Sequence, residues 1–497
     1  MGPNLGTDGP ECHIAVVDIG SNSVRLVVYD RLSRAPFPRF NEKSLCRLGA
    51  GLAETGRLSA ECFRRALEAV RRFRAISDAM GVSRTDVIAT EAVRRAANGA
   101  ELVAAIRRET GLDARVLAGA EEARFAATGV LAGFYQPAGL VGDMGGGSLE
   151  LAEVAAGEIG DCPVSLPLGS LPVHAMLARG GRQAREAVDT LLKTAPDSLR
   201  RKVFYAVGGG WRALARMHME AIGAPVRVAH AYTLNADDAR RFAKRVWRMD
   251  EAKLAVQPGV AARRRATLPA AALILDRVLK HLAPERVVFS ALGVREGWLY
   301  SQLPPEEQAL DPLLEGARGV GLPQARVPRF AAALERWTDG LFAGETAAQR
   351  RLRVAACALT DIGWRDHASV KAAESFRRLV QFPLIGLDHE ERVFIAAVIF
   401  ARYAGRLNDP ALSPAIELLP SEARRRAVIL GRTMLLGHRV SGSVPDILAS
   451  ARLQVEADRV RLAISPAARV PDSEVVADRL GLVAGALRVR RTEIVEA

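Results

Sequence analysis

Two short turns that contain glycine each follow an aspartate at the end of an apolar run. The first turn spans residues 20–23 after Asp18, the second spans residues 145–148 after Asp143, and one offset aligns both turns and both aspartates. In such turns several backbone N–H groups point into one concavity, and the absence of side chains lets a phosphate come close. A tight turn explains a single glycine run equally well. A third run at residues 208–210 makes a set of phosphate-binding turns the better prediction.

Carboxylates beside the second turn predict a divalent cation. Asp143 precedes this turn and Glu150 follows it, and carboxylates near a bound phosphate repel it unless a cation lies between them. Mg²⁺ takes one or two protein carboxylates together with phosphate oxygens and water. Taken singly, Asp143 is better explained as a turn cap and Glu150 as an exposed strand residue. The prediction therefore depends on their occurring together.

Glu121 and Glu122 open a predicted helix. As charges at a helix N-terminus they would be stabilised by the helix dipole. A carboxylate near a bound phosphate could instead orient and deprotonate an attacking water, which contributes about 10²–10⁴-fold to a rate. Neighbouring helix positions lie about 100° apart, so only one of the pair can face a crevice. Arg94 could neutralise a phosphate, although an arginine close to Glu91 and Arg95 more often forms a surface ion pair.

Strands and helices alternate around these residues. Residues 13–30 and 139–154 each predict a strand, a turn and a second strand. Further strands are predicted at residues 86–90, 203–207 and 287–292, and helices at residues 58–80, 101–110, 120–132 and 182–200, from Trp211 and near Glu296. This alternation predicts two α/β half-domains with the ligand site in the crevice between them.

After about Pro304 the strand signal fades and amphipathic helices dominate. A last segment combines a polar–apolar alternation at residues 453–464 with a helix from Ser473. We therefore divide the chain into two half-domains with one phosphate turn each, residues 11–135 and 136–305, a helical domain, residues 306–440, and a small α+β piece, residues 441–497.

The composition is that of an ordinary globular protein of 497 residues, with a formal charge of +13. Such an excess of Lys and Arg attracts anionic partners, although solvated arginine-rich helix faces explain it about equally well. The five cysteines are scattered and predicted to be reduced. No apolar run reaches the roughly 18 residues of a membrane span, and only 5% aromatic residues argue against stacking on single-stranded nucleic acid. These features predict a soluble, cytoplasmic protein.

Six motifs occur in the order of a known family along about the first 300 residues. They are DIGSNSVRL at residues 18–26, TEAVRRA at 90–96, GAEEAR at 119–124, DMGGGSLEL at 143–151, PLGS at 167–170 and LGVREGWL at 292–299. Together they resemble the exopolyphosphatase and guanosine pentaphosphate phosphohydrolase (Ppx/GppA) family. The rest of the chain resembles the helical extension of that family.

The resemblance implies two ribonuclease H-like subdomains of the actin, hexokinase and chaperone ATPase superfamily. It also implies Mg²⁺-dependent release of a terminal phosphate, with Mn²⁺ as the alternative ion. Glu122 is then the implied catalytic base, and Asp143, Glu150 and Asp18 are the implied metal carboxylates. The implied phosphate ligands are Asn22, Ser23, Arg94, Gly145, Gly146, Gly147, Ser148, Gly208 and Gly209.

The chain departs from the family pattern in two regions. Gly210 stands where the family often has a hydroxyl residue, which keeps the backbone cradle but removes a side-chain contact. The helical extension resembles an HD phosphohydrolase domain, but Thr360 precedes Asp361 where a metal-binding histidine is expected, and Ala404 replaces another. Without those imidazoles, a degenerate HD-like domain that lacks its metal ligands is expected in residues 306–440.

The expected function is release of terminal orthophosphate from inorganic polyphosphate by Mg²⁺-assisted attack of water. Hydrolysis of guanosine pentaphosphate in the stringent response is the alternative, because both substrates end in a phosphate anhydride. More distant alternatives are an ATP-dependent kinase or ATPase of the same superfamily and a non-catalytic polyphosphate-binding regulator. No specific nucleic acid and no membrane are expected as partners. We expect a homodimer, to which the helical extension contributes contacts.

Overall fold

The computed structural model describes residues 13–466 and 473–496. These residues form two compact units. One comprises residues 13–224 and 229–309, and the other comprises residues 225–228 together with the described residues from 310 onward. The glycine turns and the carboxylates singled out in the sequence all fall in the first unit, so its elements position the candidate site.

Five strands form the first sheet. They are β1 (His13–Ile19), β2 (Val24–Tyr29), β3 (Pro38–Ser44), β4 (Val82–Ala89) and β5 (Ala114–Val116). Their order is β3-β2-β1-β4-β5. The β1–β2 and β2–β3 pairs are antiparallel, whereas the β1–β4 and β4–β5 pairs are parallel. Side chains pack against both faces of β1, which explains why its sequence is a continuous apolar run.

The helices of this first lobe follow the sequence predictions closely. They are α1 (Leu52–Thr55), α2 (Ala60–Ala79), α3 (Glu91–Arg95), α4 (Gly99–Thr110) and α5 (Gly119–Gly133). The Ser59 side chain caps α2 by accepting a hydrogen bond from the Cys62 backbone N–H. Phe73 of α2 and Ile106 of α4 belong to one apolar core with β1 and β4.

Seven strands form the second sheet. They are β6 (Gly139–Met144), β7 (Leu149–Ala155), β8 (Glu158–Ile159), β9 (Val164–Leu166), β10 (Val203–Val207), β11 (Tyr232–Asn235) and β12 (Arg286–Phe289). Their order is β11-β12-β10-β6-β7-β8, and β9 pairs with β7. Strands β6, β7, β8, β10 and β12 thus repeat the connectivity of β1 to β5. The predicted fold class, two α/β subdomains of equivalent topology, is confirmed.

Eight helices belong to the second lobe or follow it within the described part of the first unit. They are α6 (Ser170–Arg179), α7 (Gly181–Leu192), α8 (Gly209–Ala221), α9 (Ala236–Trp247), α10 (Glu251–Ala255), α11 (Leu268–Leu282), α12 (Val294–Tyr300) and α13 (Pro305–Gln308). The predicted helix over residues 182–200 ends earlier, at Leu192, and Pro196 disfavours its continuation at the residue before the proline. The strand predicted at residues 287–292 likewise ends at Phe289.

Helices α5 and α12 cross closely between the two sheets. A Cβ atom added at Gly129 of α5 would lie 2.2 Å from the Gly293 carbonyl oxygen, and one added at Gly297 of α12 would lie 1.9 Å from the Phe125 carbonyl oxygen. Glycine is therefore required on both helices for this approach. Val130 of α5 packs on the second sheet and Leu299 of α12 on the first. This crossing therefore determines how the N-termini of α5 and α12 are placed relative to the turns at residues 20–23 and 145–148.

The second unit is mainly helical, as predicted. Its helices are α14 (Pro312–Gly321), α15 (Phe330–Asp339), α16 (Ala347–Ala358), α17 (Lys371–Gln381), α18 (His389–Arg402), α19 (Ser421–Ser441), α20 (Pro445–Ala449) and α21 (Glu474–Leu487). Its strands are β13 (Ala451–Val455), β14 (Arg459–Ile464) and β15 (Arg491–Glu496). The β13–β14 hairpin accounts for the alternation at residues 453–464, and the Ser473 side chain caps α21.

Arginines surround Asp361, the residue at the degenerate position of the helical region. Arg326 Nη2 donates to Asp361 Oδ1 at 2.7 Å, and Arg402 Nη2 donates to the same oxygen at 3.3 Å. Thr360 Oγ1 lies 2.8 Å from His438 Nε2. The charge of this buried carboxylate is thus balanced by guanidinium groups.

No helix in residues 13–466 or 473–496 is both long and apolar enough to span a bilayer. The four cysteines in these ranges carry free thiols, in line with the prediction of reduced cysteines. Cys12 and the amino-terminal residues lie outside the described residues.

Candidate active site

The two predicted turns line one cleft of about 170 Å³ in the first unit. Eleven of the residues predicted from the sequence lie on its walls: Asp18, Asn22, Ser23, Glu122, Asp143, Gly145, Gly146, Gly147, Ser148, Gly208 and Gly209. Two others, Glu150 and Arg94, lie outside the wall. The structure therefore brings most of the predicted set together, from both lobes.

The first two turns have the same backbone closure. The Gly20 N–H donates to the Ser23 carbonyl at 3.0 Å, and the Gly145 N–H donates to the Ser148 carbonyl at 2.9 Å. The turns also touch, because a Cβ atom added at Gly146 would lie 2.8 Å from Ser21 Cβ. Neither Gly145 nor Gly146 has a positive φ. Glycine at position 146 is needed for this close approach and not for an unusual backbone conformation.

The third glycine run differs from the prediction of a turn like the other two. Gly208 has a φ of +110° and caps α8, which begins at Gly209. This run is thus a junction between strand β10 and a helix. A Cβ atom added at Gly210 would lie 2.5 Å from Met144 Cε. Position 210 therefore faces the core. A hydroxyl side chain at this position would point away from the cleft, so glycine here removes no contact to a bound phosphate.

Glu122 is the member of the carboxylate pair that faces the cleft, where it is 7% exposed. Glu121 points elsewhere, accepting a hydrogen bond from the Ala118 N–H and another from Arg115. Burial raises the pKa of Glu122 to about 7, against the opposing effect of Arg94 and with a further contribution from the charge of Asp143. A carboxylate with this pKa is poised to accept a proton near neutral pH.

Asp143 and Glu150 lie opposite each other on β6 and β7. Burial raises the pKa of Asp143 to about 6, while the charge of Arg212 opposes this. Glu150 is 1% exposed and accepts a hydrogen bond from Ser165 Oγ at 3.0 Å. Burial and the nearby charge of Glu122 raise the pKa of Glu150 well above its ordinary value. Glu150 therefore lies behind the cleft wall, in surroundings that favour its neutral form.

Asp18 occupies the equivalent place in the first lobe. Arg295 Nη1 lies 3.3 Å from Asp18 Oδ2. Burial raises the pKa of Asp18, and the charges of Arg295 and Arg25 oppose the increase. Asp18 thus differs from Asp143 in having a cation within ion-pair distance.

Arg94 lies beside the candidate base, whereas the sequence predicted it to be a phosphate ligand. Its Nη1 donates to the Leu117 carbonyl at 2.5 Å and to Glu122 Oε2 at 3.2 Å. The structure therefore places this guanidinium where it orients Glu122.

Several residues of the cleft wall were missed from the sequence. They are Arg25, Lys43, Glu91, Arg212, Arg264, Arg295 and Glu296. Arg25, Glu91, Arg295 and Glu296 fall inside the motifs DIGSNSVRL, TEAVRRA and LGVREGWL, and membership of these motifs is the signal that could have identified them. Glu91, at the start of α3, accepts a hydrogen bond from Ser21 Oγ at 2.9 Å and lies against Gly147, so it ties the two turns together.

The oxygen donors of the cleft fit a hard divalent cation. Asp143 and Asp18 line it, and each is close enough to raise the pKa of Glu122 by its charge. Among the described residues no three His, Cys, Asp or Glu side chains lie close enough to hold an ion by themselves. Mg²⁺ needs only one or two protein carboxylates when phosphate oxygens and water complete its shell.

Comparison with sequence families gives two matches that together cover most of the chain. The model described as the Ppx/GppA phosphatase family matches residues 16–306, and the one described as exopolyphosphatase, C-terminal, matches residues 313–495. The first match alone covers more than half of the chain and includes every residue of the cleft wall.

Similar curated proteins include Exopolyphosphatase 1 of Mycobacterium leprae, which is 28% identical over 308 residues that cover 59% of this chain and 90% of the relative. Retrograde regulation protein 2 of Saccharomyces cerevisiae is 29% identical over 347 residues. That match covers 61% of this chain and spans 58% of the length of the yeast protein.

Solved structures resemble the chain in fold. An exopolyphosphatase from Cytophaga hutchinsonii superposes with a TM-score of 0.53 at 25% identity, covering 58% of this chain and 97% of that one. A Ppx/GppA family member from Aquifex aeolicus gives a TM-score of 0.51 at 23% identity, covering 59% of this chain and 98% of that one. The two-lobed architecture is therefore shared with these proteins.

Proposed function

We propose that this chain, which belongs to the Ppx/GppA phosphatase family, is an exopolyphosphatase that releases terminal orthophosphate from inorganic polyphosphate. The observation that carries the proposal is the position of Glu122. This carboxylate, with a pKa raised to about 7 by burial, lies in a cleft lined by two anion-binding turns. The names of the mycobacterial and Cytophaga relatives support polyphosphate as the substrate.

In the proposed reaction the backbone N–H groups of residues 21–23 and 146–148 hold the terminal phosphate, with the side chains of Asn22, Ser23 and Ser148 beside it. A water molecule attacks the terminal phosphorus, and its proton passes to a carboxylate oxygen of Glu122. The new P–O bond forms as the bridging P–O bond breaks. The shortened chain leaves with the electron pair of the broken bond. Donors preorganised in the turns stabilise the negative charge that develops on the phosphoryl oxygens.

Asp143 and Asp18, with Glu150 behind them, are the residues proposed to hold Mg²⁺ or Mn²⁺. When bound, the ion would supply charge neutralisation and polarise a phosphoryl oxygen. Arg94 keeps Glu122 oriented through its hydrogen bond at 3.2 Å.

The pair Glu121 and Glu122 offers a matched test. Glu122→Gln should lower phosphate release from long-chain polyphosphate by about 10²–10⁴-fold, because the base is lost while the shape is kept. Glu121→Gln removes a neighbouring carboxylate that points away from the cleft, so it should stay close to the parent activity. Phosphate release by Glu122→Gln within a few-fold of the parent enzyme would refute the assigned base.

The same assay decides between polyphosphate and guanosine pentaphosphate. Phosphate release is measured at matched enzyme concentration from a ladder of polyphosphate lengths and from guanosine pentaphosphate, with and without Mg²⁺. The proposal requires faster turnover of polyphosphate. Preference for guanosine pentaphosphate would assign the chain the alternative activity. The homodimer and the cytoplasmic location remain predictions for size-exclusion and localisation experiments.

A further inference from the structure

Arg212 lies on the wall of the cleft but takes no part in the reaction as described so far. It belongs to the first turn of α8, directly after the junction at residues 208–210. Its Nη1 donates to the Ser290 carbonyl at 3.2 Å and to the Ala291 carbonyl at 3.3 Å. These two bonds hold the guanidinium at the end of β12, on the second-lobe side of the cleft.

This guanidinium is charged and makes no direct ion pair within the described residues, although the charges of Glu296 and Asp143 act on it from a distance. Burial lowers the pKa of Arg212 to about 10, so the group remains cationic at neutral pH. In residues 13–466 and 473–496 no carboxylate lies within ion-pair distance of it, and only its Nη1 has a hydrogen-bond acceptor. A half-buried cation without a direct ion pair is costly, and a ligand that supplies a negative charge at the free side of the guanidinium would lower this cost.

Along the edge of the second sheet, Asp143 lies between the second turn and Arg212. The sheet runs β12-β10-β6-β7. The turn at residues 145–148 joins β6 to β7, Asp143 ends β6, and Arg212 follows β10 and is held by the residues after β12. Neighbouring strands lie about 4.8 Å apart. A chain of linked phosphates that starts at the turns and crosses Asp143 along this edge therefore meets Arg212 next.

We propose that Arg212 binds the phosphate next to the terminal one, which is the leaving group of the hydrolysis. This role rests on the proposed function, since it assigns a second phosphate position in the same cleft. The five N–H donors of arginine suit the non-bridging oxygens of a phosphate. The guanidinium would also stabilise the negative charge that the leaving phosphate gains as the bridging P–O bond breaks.

Binding without turnover separates this role from the proposed activity. In a Glu122→Gln background, binding of inorganic pyrophosphate and of orthophosphate is measured by titration calorimetry. Adding Arg212→Gln should weaken pyrophosphate binding by about 10- to 100-fold, because charge-assisted hydrogen bonds are lost. Orthophosphate, which needs only the turns, should bind within threefold of the background protein. The exposed Arg216, one turn later on α8, provides Arg216→Gln as the matched control.

Arg212→Lys is a second variant for the case that Arg212→Gln folds poorly. It keeps the positive charge of the side chain but loses the planar set of donors. It should bind pyrophosphate with an intermediate affinity if the charge is what matters. Unchanged pyrophosphate binding in Arg212→Gln would overturn the proposal. An equal weakening for both anions would also overturn it, because Arg212 would then act on the terminal phosphate or on the fold. Failure of the parent enzyme to hydrolyse polyphosphate would count against the proposed function and leave this binding result standing.

Discussion

The hairpins β1–β2 and β6–β7 share one turn geometry but differ in the side chains beside it. In the first hairpin Asp18, Arg25 and Lys43 lie opposite one another on three neighbouring strands. Arg295 adds a further cation 3.3 Å from Asp18. The aspartate of the first lobe therefore has three cations near it, which suits a surface that attracts a polyanion.

In the second hairpin the matching row is Asp143, Glu150 and Ser165. Glu150 stands where the first lobe has Arg25, so acidic groups gather where the other lobe has cations. Burial raises the pKa of Asp143 to about 6 and that of Glu150 well above its ordinary value. The comparison indicates that two hairpins of the same backbone geometry can carry side chains for two different functions. We interpret the first row as the anion-attracting side and the second as the side that requires a cation.

The largest effect that tests this division is expected at the two aspartates. Asp143→Asn should lower kcat/KM for phosphate release by at least about 100-fold and shift activation to higher Mg²⁺ concentration. Asp18→Asn should cost about tenfold with a smaller shift in the Mg²⁺ dependence than Asp143→Asn, because Asp18 is already paired with Arg295 and contributes less to the ion. Mg²⁺ titrations of both variants check this. Equal losses with the same Mg²⁺ dependence would show that the two rows do not divide the tasks.

The acidic side should also make the metal-free protein less stable as the pH rises. The pKa of Glu122 is raised from 4.5 to about 7 in the folded state, so protonation favours folding. Its contribution is fully present below about pH 4.5 and is lost as the pH rises through about 7, which amounts to at most about 3 kcal/mol. The neutral Glu122→Gln variant should lack this loss and should be more stable than the parent protein at pH 8.

Urea unfolding at pH 4.5 and at pH 8, in the presence of a chelator, measures this difference. Glu121→Gln is the control, because hydrogen bonds from Ala118 and Arg115 lower the pKa of Glu121 and its stabilising effect has the opposite sign. Glu121→Gln should therefore be less stable than the parent protein at pH 8. A Glu122→Gln variant that matched the parent protein at both pH values would show that Glu122 ionises without cost.

The turns could be predicted from the sequence because their signals are local, whereas the choice of Glu122 as the candidate base also depended on the family resemblance. The aspartate, glycine and serine spacing recurs twice, and the helix period alone shows that only one of Glu121 and Glu122 can face a crevice. The structure confirms that spacing as two identical backbone closures. The strand–helix alternation likewise sufficed to predict the fold class.

The cations of the cleft wall could not be predicted in the same way. Lys43 lies on β3, whose sequence PRFNEKS has no apolar alternation because it is an exposed edge strand. Arg212 follows a glycine run that resembles a turn in the sequence. In the structure α8 begins at Gly209, and this start directs the Arg212 side chain to the cleft. Their function depends on which strands become neighbours, which no single segment of sequence specifies.

The contact between the two turns gives a smaller and sharper test. Gly146→Ala places a methyl group 2.8 Å from Ser21 Cβ, so one turn must shift, and shifts of this size cost about 10- to 100-fold in rate. The double variant Ser21→Gly/Gly146→Ala removes the opposing Cβ atom and should recover much of the lost kcat/KM. Ser21→Gly alone is the control, because it also removes the hydrogen bond to Glu91. If that variant keeps most of the parent activity, failure of the rescue would mean that Gly146 is needed for phosphate access and not for packing against the first turn.

The smallest expected effect lies at Arg25, the counterpart of Glu150 in the first row. Arg25→Gln should raise KM for polyphosphate about tenfold with little change in kcat, because it removes a charged donor from the anion-attracting side. It should also weaken the dependence of KM on ionic strength, since fewer charges are screened. Arg31→Gln is the control, because Arg31 is exposed just after β2 and lies off the cleft wall. A fall in kcat with unchanged KM would instead place Arg25 among the groups that act in the transition state, and the first row would then share the task assigned to the second.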